Sequence, residues 1–436
     1  MLLIYTKKTT NRVKYIFHLL INDLLGIETR FTSSLEEFLG YTGPRFSYGE
    51  LVPDDELYFA AHPLLFETGI SLKTLNYIEF KGNPAFFSVF EKRSCFPFDI
   101  FAASFYLVSR YEEYLPHIRD EHGRFMASGS EAFKHGFLRK PLVNIWAIQL
   151  GDILSFRFPS LKQKRSEYKF ELTIDIDAAY AFKHKGMTRA VGGILKALQK
   201  GNYSEIRERL RVLLHKQNDP FDTFEYLFQL QSKFKLKLIY FVLMADYGPR
   251  DKNIPVNNRQ FHRLIKLLSD YADVGIHPSY ASFVDVDKLK IEISRLSRLL
   301  HQDVSRSRQH FLRLEFPRTY RTLINHDITD DYTMGYSEEP GFRASICNPF
   351  YFYDLDMDME THLKLHPFAI MDGTLNDYLR LTPAQSVEIV ESLIKETKSV
   401  GGTFIPLWHN HSLNDHDEWK GWLALFEKMV ENATRC

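Results

Sequence analysis

The stretch FELTIDIDAAY, residues 170–180, decides how the chain is read, because an apolar run there ends in two aspartates one residue apart, Asp175 and Asp177. Strand side chains alternate, so Thr173, Asp175 and Asp177 share one face and Leu172, Ile174 and Ile176 the other. A central strand of a parallel sheet is buried on both faces and should read as continuous apolar sequence. Carboxylates two positions apart lie only about 6–7 Å from each other along a strand. In a dry site both stay ionised only beside a cation or strong donors. Aspartates also cap helices and face solvent at strand ends, so the pair by itself leaves both readings open.

Outward from this stretch, apolar runs of strand length alternate with helical periodicity. Strands are expected at 168–176, 236–243, 272–277, 308–314, 366–371 and 402–409, and helices at 204–216, 221–233, 257–269, 287–300, 383–399 and 416–432. Such alternation over about 270 residues predicts an α/β unit with a parallel sheet closed as a barrel. The polar stretch SLKQKRSEY, 160–168, marks a boundary, giving units at 1–165 and 166–436. The first unit reads as smaller mixed α/β, with strands at 2–5 and 56–62 and helices at 11–25 and 97–115.

Composition narrows the class. The chain has 436 residues, 44% hydrophobic and 25% charged, with formal net charge zero, which argues against nucleic acid as the main partner. Cys95, Cys347 and Cys436 lack metal or disulfide spacing, which fits a reducing compartment, so the expected location is cytoplasmic. The N-terminus lacks the charge order of a secretory signal, and no apolar run of about 18 residues predicts a membrane span. The charges of SEIRERLRVLLHKQ, 204–217, read as a solvated face, with a lid or membrane-facing surface as the other reading.

Ionisable side chains recur at the ends of the expected strands, where helix-faced α/β folds build their sites. In DVGIHPSYAS, 273–282, His277 precedes the strand-stopping Pro278; it suits a metal, or a turn histidine bonded to backbone. In SRSRQHFLRLEFPRTY, 305–320, His310 is expected within a strand, with Arg308 and Leu312 on its face. In DYTMGYSEEPGFRAS, 331–345, Arg343 follows a turn-rich loop and has the fork to hold a carboxylate bidentately. MDGTLNDY, 371–378, places Asp372 after an apolar run, and PLWHNHSL, 406–413, places His409 and His411 on one face if the strand continues.

The order TIDID, GIHPSY, RQHFLR with GFRAS, MDGTL and PLWHN resembles the polysaccharide deacetylase superfamily (NodB homology, carbohydrate esterase family 4) over roughly residues 166–436. Within it, the chain looks like an uncharacterised bacterial branch found near surface-polysaccharide genes, whose catalytic domain follows an accessory domain. The resemblance implies a distorted (β/α) barrel, a divalent metal that is commonly Zn2+, and an acetylated sugar as substrate. Carried over residue by residue, Asp175 matches the catalytic base, Asp177 and His277 the metal ligands, and His409 the catalytic acid. Arg343 would orient Asp175, and Asp372 would orient His409. The chain departs from the family twice: Ile176 separates aspartates that are adjacent in the family, and Ala281 stands where the family has its second metal histidine. His310 is the expected replacement as third ligand. Without a third ligand, the chain would instead be a catalytically inactive, glycan-binding or scaffold protein, with Trp408 and the tyrosines stacking on sugar rings.

Overall fold

The computed structural model describes residues 1–53 and 55–435. Its first sheet is parallel, in the order β2-β1-β3-β4, from β1 (Leu2–Tyr5), β2 (Thr29–Thr32), β3 (Arg45–Tyr48) and β4 (Leu57–Phe59). β1 is internal, and its all-apolar sequence serves both faces: Leu2 and Ile4 enter the main core while Leu3 and Tyr5 pack against Phe38. The expected helix at 11–25 is α-helical over Asn11–Phe17 and continues as a π-helix through Asp23. The expected helix at 97–115 is shorter, Ile100–Val108, capped by Asp99 and ended before Arg110, whose φ is 52°. The helix Leu142–Arg157 was not anticipated; its apolar residues give little amphipathic contrast. A small antiparallel pair, β5 (Ile78–Phe80) and β6 (Asn83–Ala85), lies between these elements.

The second sheet carries the aspartate stretch. Its strands are β7 (Lys169–Ile176), β8 (Lys237–Val242), β9 (Asp273–Ile276), β10 (Arg306–Ser307), β11 (Asp330–Asp331), β12 (Phe350–Asp354), β13 (Met359–Leu365), β14 (Ile370–Met371), β15 (Thr403–Phe404) and β16 (Pro406–His409). The order is β12-β13-β11-β10-β9-β8-β7-β16-β14, with β15 also paired to β7. All pairings are parallel except the β12–β13 hairpin, which the sequence reading did not expect. Among the described residues, backbone pairing does not close the expected barrel. β12 and β14 end the path, and at two residues β14 offers little edge to pair.

Period-2 alternation sorts the strand residues onto two faces. Leu172, Ile174, Tyr240, Val242, Ile276 and Trp408 join a buried cluster that also holds Leu2, Phe101 and Trp146, so both sheets share one continuous core. The opposite face has a smaller cluster with Ile239, Phe241, Leu407 and Met371. Thr173 and Asp175 are buried on that face too, at 0% and 1% exposure. Gly275 is needed there, because a β-carbon would lie 2.7 Å from the Phe241 ring and 2.9 Å from the Arg306 carbonyl.

Three strand expectations need correction. None of 308–314 is strand: the strand is Arg306–Ser307, just before it, and Phe311 and Leu312 then turn with φ of 60° and 53°. His310 is therefore not inside a strand, and its backbone N–H bonds the Pro278 carbonyl at 3.1 Å. The strand at 366–371 shrinks to Ile370–Met371, and 402–409 is split between β15 and β16.

Candidate active site

Register brings the candidate residues together. Ile176 of β7 pairs with Val242, Val242 with Ile276, and Ile276 with Ser307, so these strands end at one level. The next residues after β7, β9 and β10 are Asp177, His277 and Arg308. On the other side of β7, His409 is the direct register partner of Asp175. A parallel sheet aligned this way gathers side chains that are hundreds of residues apart.

Asp177, His277 and His310 converge: one ligand atom from each lies within 4.8 Å of the others. His277 Nδ1 is 2.5 Å from the Arg308 carbonyl, which only accepts, so Nδ1 carries the proton and Nε2 is free to offer a lone pair. That Nε2 lies 3.1 Å from Asp177 Oδ1, a buried oxygen with no hydrogen-bond partner. His310 Nδ1 bonds Asp251 Oδ1 at 2.9 Å, which turns its Nε2 toward Asp177 Oδ2 at 3.5 Å. Lone pairs facing a carboxylate need a cation between them. Histidines whose second nitrogen is held by a carbonyl and a carboxylate have the arrangement of metal ligands. The donor set fits a divalent ion of the zinc type.

The electrostatics agree with that demand for positive charge. Burial opposes ionisation of Asp177, yet the charge of His310 beside it holds its carboxyl well below the usual range. Burial also disfavours a charged His310, but Asp177 and Asp251 outweigh it and push the ring up to about 9.

Asp175 and His409 flank this cluster. Asp175 Oδ1 accepts from Arg308 Nη1 at 2.9 Å, and its Oδ2 lies 3.8 Å from His277 Nε2. Arg308 is locked in turn by the Tyr332 carbonyl and Thr173 Oγ1, and stacks over the Phe241 ring at 4.7 Å. Asp372, wholly buried, accepts the backbone N–H of His409 and also bonds its Nδ1, both at 2.8 Å. His409 Nε2 then lies 3.9 Å from Asp177 Oδ2. Burial would lower the His409 pKa, but Asp372 overrides it and lifts the ring to about 10. His411, beside it at 5.1 Å between rings, is pushed down to about 4 by burial and by His409.

Asp175, Asp177, His277, His310 and His409 share a cavity of about 240 Å3, with a wall that includes Arg124, Ser337, Tyr378, His411 and Trp419. Arg124 comes from the first 165 residues. Its Nη1 bonds the Phe311 carbonyl at 2.9 Å and its Nη2 the Tyr378 hydroxyl at 3.1 Å.

Two expectations fail here. Arg343 does not reach Asp175: its Nε and Nη2 grip Glu113 at 2.9 and 2.5 Å, and its Nη1 bonds the Gly335 carbonyl. Glu113 also accepts from Arg110, so Arg343 joins a buried ion network with a segment 230 residues earlier. Arg308 takes the place expected for it. Trp408 is not available to a sugar, since it is buried against Phe426 and Trp422; Trp419 faces the cavity instead. Asp251 and Arg124 are not legible in the sequence because loop residues carry no periodicity that reveals their direction, and Tyr378 ends a short π-helix, Thr374–Tyr378, too brief to show one.

Comparison with known proteins matches residues 2–159 to a family of unknown function (DUF7033). No curated protein matches. Among solved structures, the chain is similar to a Mycobacterium smegmatis protein described as a polysaccharide deacetylase, at 13% identity over 62% of this chain and 84% of that one, with TM-score 0.39. It is also similar to an allantoinase, at 10% identity, 62% and 84% coverage and TM-score 0.36. A Bacillus cereus polysaccharide deacetylase gives 10% identity, 61% and 86% coverage and TM-score 0.28. Likenesses this distant do not carry the chemistry of any of these proteins over to this chain.

Proposed function

We propose that the chain is a metal-dependent hydrolase that removes an acetyl group from an N- or O-acetylated sugar. The observation that carries this reading is the convergence of Asp177, His277 and His310 beside Asp175 and His409 in one cavity. The substrate class rests on the order of the motifs, from TIDID to PLWHN, and on a wall that mixes aromatic rings with polar groups.

Asp177, His277 and His310 would hold the ion. A bound divalent ion supplies a polarised acyl carbonyl and a water of lowered pKa. Asp175, oriented by Arg308, takes the proton from the attacking water. His409 stands opposite Asp175 in register, with Nδ1–H committed to Asp372, so Nε2 is the atom that gives a proton to the leaving group. For an N-acetyl substrate, the water oxygen bonds the acyl carbon and the C–N bond breaks. Acetate leaves, and the amine departs with the proton from His409.

The test is metal content together with acetate release. Purified protein should carry, or bind on addition, about one zinc or cobalt ion per chain. Asp177→Ala, His277→Ala or His310→Ala should abolish that binding, while His411→Ala keeps it. A chain that binds no metal and releases no acetate from acetylated oligosaccharides would instead be a glycan-binding or scaffold protein.

A further inference from the structure

The helices Met187–Gln199 and Tyr203–Leu213 follow β7 as a hairpin whose outer face is left uncovered. Only Ala197 of the first helix and Val212 of the second are buried. In the first, Met187, Val191, Leu195 and Leu198 recur at helical spacing and line one face. They should form the buried stripe of a globular helix, yet all four are exposed, Met187 at 83%. In the second, Tyr203, Leu210 and Leu214 are exposed too, Leu214 just beyond the helix end at 63%, and Arg207 and Arg211 are interleaved with them.

The inner side is anchored to the body. Arg189 bonds the Asn253 carbonyl at 2.8 Å and lies over the Tyr247 ring at 4.3 Å, and Asn258 bonds the His184 carbonyl. Arg209 pairs with Glu205 and lies over Phe182. The apolar stripe is thus an outer surface and not a misplaced core.

Charge identifies its occupant. Residues 183–216 hold nine Lys or Arg against two Glu, a net of +7 in a chain that sums to zero. Lys196, Lys200, Arg207 and Arg211 are exposed. A second copy of this face would meet like charge. Exposed Leu, Val, Met and Tyr with flanking Lys and Arg is the composition of a helix lying in a lipid interface, its apolar side among acyl chains and its cations at anionic headgroups.

We infer that the helix hairpin at 187–213 docks the protein on an anionic lipid bilayer surface. This is surface docking and not spanning, since among the described residues no helix is long and apolar enough to cross a membrane. The hairpin also borders the candidate site: Lys185, Asn202, Ser204, Glu205 and Glu208 line a cavity of about 450 Å3 whose wall shares His411 and Trp419 with the active-site cavity.

The experiment is flotation of the full chain with phosphatidylglycerol–phosphatidylcholine vesicles and with pure phosphatidylcholine vesicles, at low and high salt. Binding should be at least about tenfold stronger to the anionic vesicles and should fall with salt. Val191→Glu with Leu195→Glu should abolish it, and Arg207→Glu with Arg211→Glu should weaken it about tenfold or more. Phe156→Glu, at a 91% exposed position on another helix, should leave binding unchanged. Every site changed is exposed, so circular dichroism should match wild type. Equal binding to neutral vesicles, no vesicle binding, or self-association lost in the same variants would each overturn the inference.

Discussion

His409 and Asp175 are direct partners in the register of β16 and β7, and they reach the same cavity from adjacent strands. Both border the Asp177–His277–His310 cluster, Asp175 at 3.8 Å from His277 and His409 at 3.9 Å from Asp177.

Asp372 should set the pH range of His409. Its carboxylate and hydrogen bond raise the ring's pKa against the burial that lowers it, keeping the ring protonated toward about 10. Asp372→Asn removes the charge that favours the protonated form. The alkaline limb of the kcat/KM profile should therefore move to lower pH, with a loss of roughly 10–100-fold at the optimum. A limb that stays in place would remove His409 from the role of acid.

Arg308 and Arg343 should separate cleanly. Arg308→Met leaves Asp175 buried without its partner, so activity should fall steeply and stability by about 3–5 kcal/mol. Arg343→Met and Glu113→Ala break the ion network with Arg110, so each should cost a similar roughly 3–5 kcal/mol in chemical denaturation. Metal affinity measured on folded protein should remain unchanged in both of these variants.

Asp251 bonds His310 Nδ1 and is not one of the three converging groups. Asp251→Asn should lower zinc affinity about 10–100-fold in calorimetric titration without abolishing it.

Gly275 acts at a distance of two contacts. A β-carbon there presses on Phe241, and Phe241 is the ring under the Arg308 guanidinium. Gly275→Ala should cost about 1–3 kcal/mol as an overpacked core and reduce turnover with it. Thermal melts read the first effect, and acetate release the second.

Asp331, wholly buried at the end of β11, has its carboxyl pushed up to about 7 by burial, against hydrogen bonds from Thr333. A folded pKa above the unfolded value of about 3.9 means that the fold favours the protonated form. Its contribution is complete below about pH 4 and is lost as pH rises through 7. Relative to wild type, Asp331→Asn should gain up to about 4 kcal/mol between pH 4 and pH 8 in urea denaturation.

The sequence by itself determined the strand–helix alternation, because period-2 and period-3.6 patterns are properties of the local chain. It also exposed Asp175, Asp177, His277, Asp372 and His409, since an ionisable group that ends an apolar run is visible without knowing its neighbours. Tertiary structure alone decided the partners. Arg308 reaches Asp175 because β10 and β7 end at one level in a shared sheet, while Arg343, whose sequence context suited the same task, is drawn away by Glu113 from a segment 230 residues earlier. Which cation meets which carboxylate is a matter of three-dimensional distance, and no spacing along the chain encodes it. The uncovered hairpin was decided the same way, by which apolar faces found a partner and which did not.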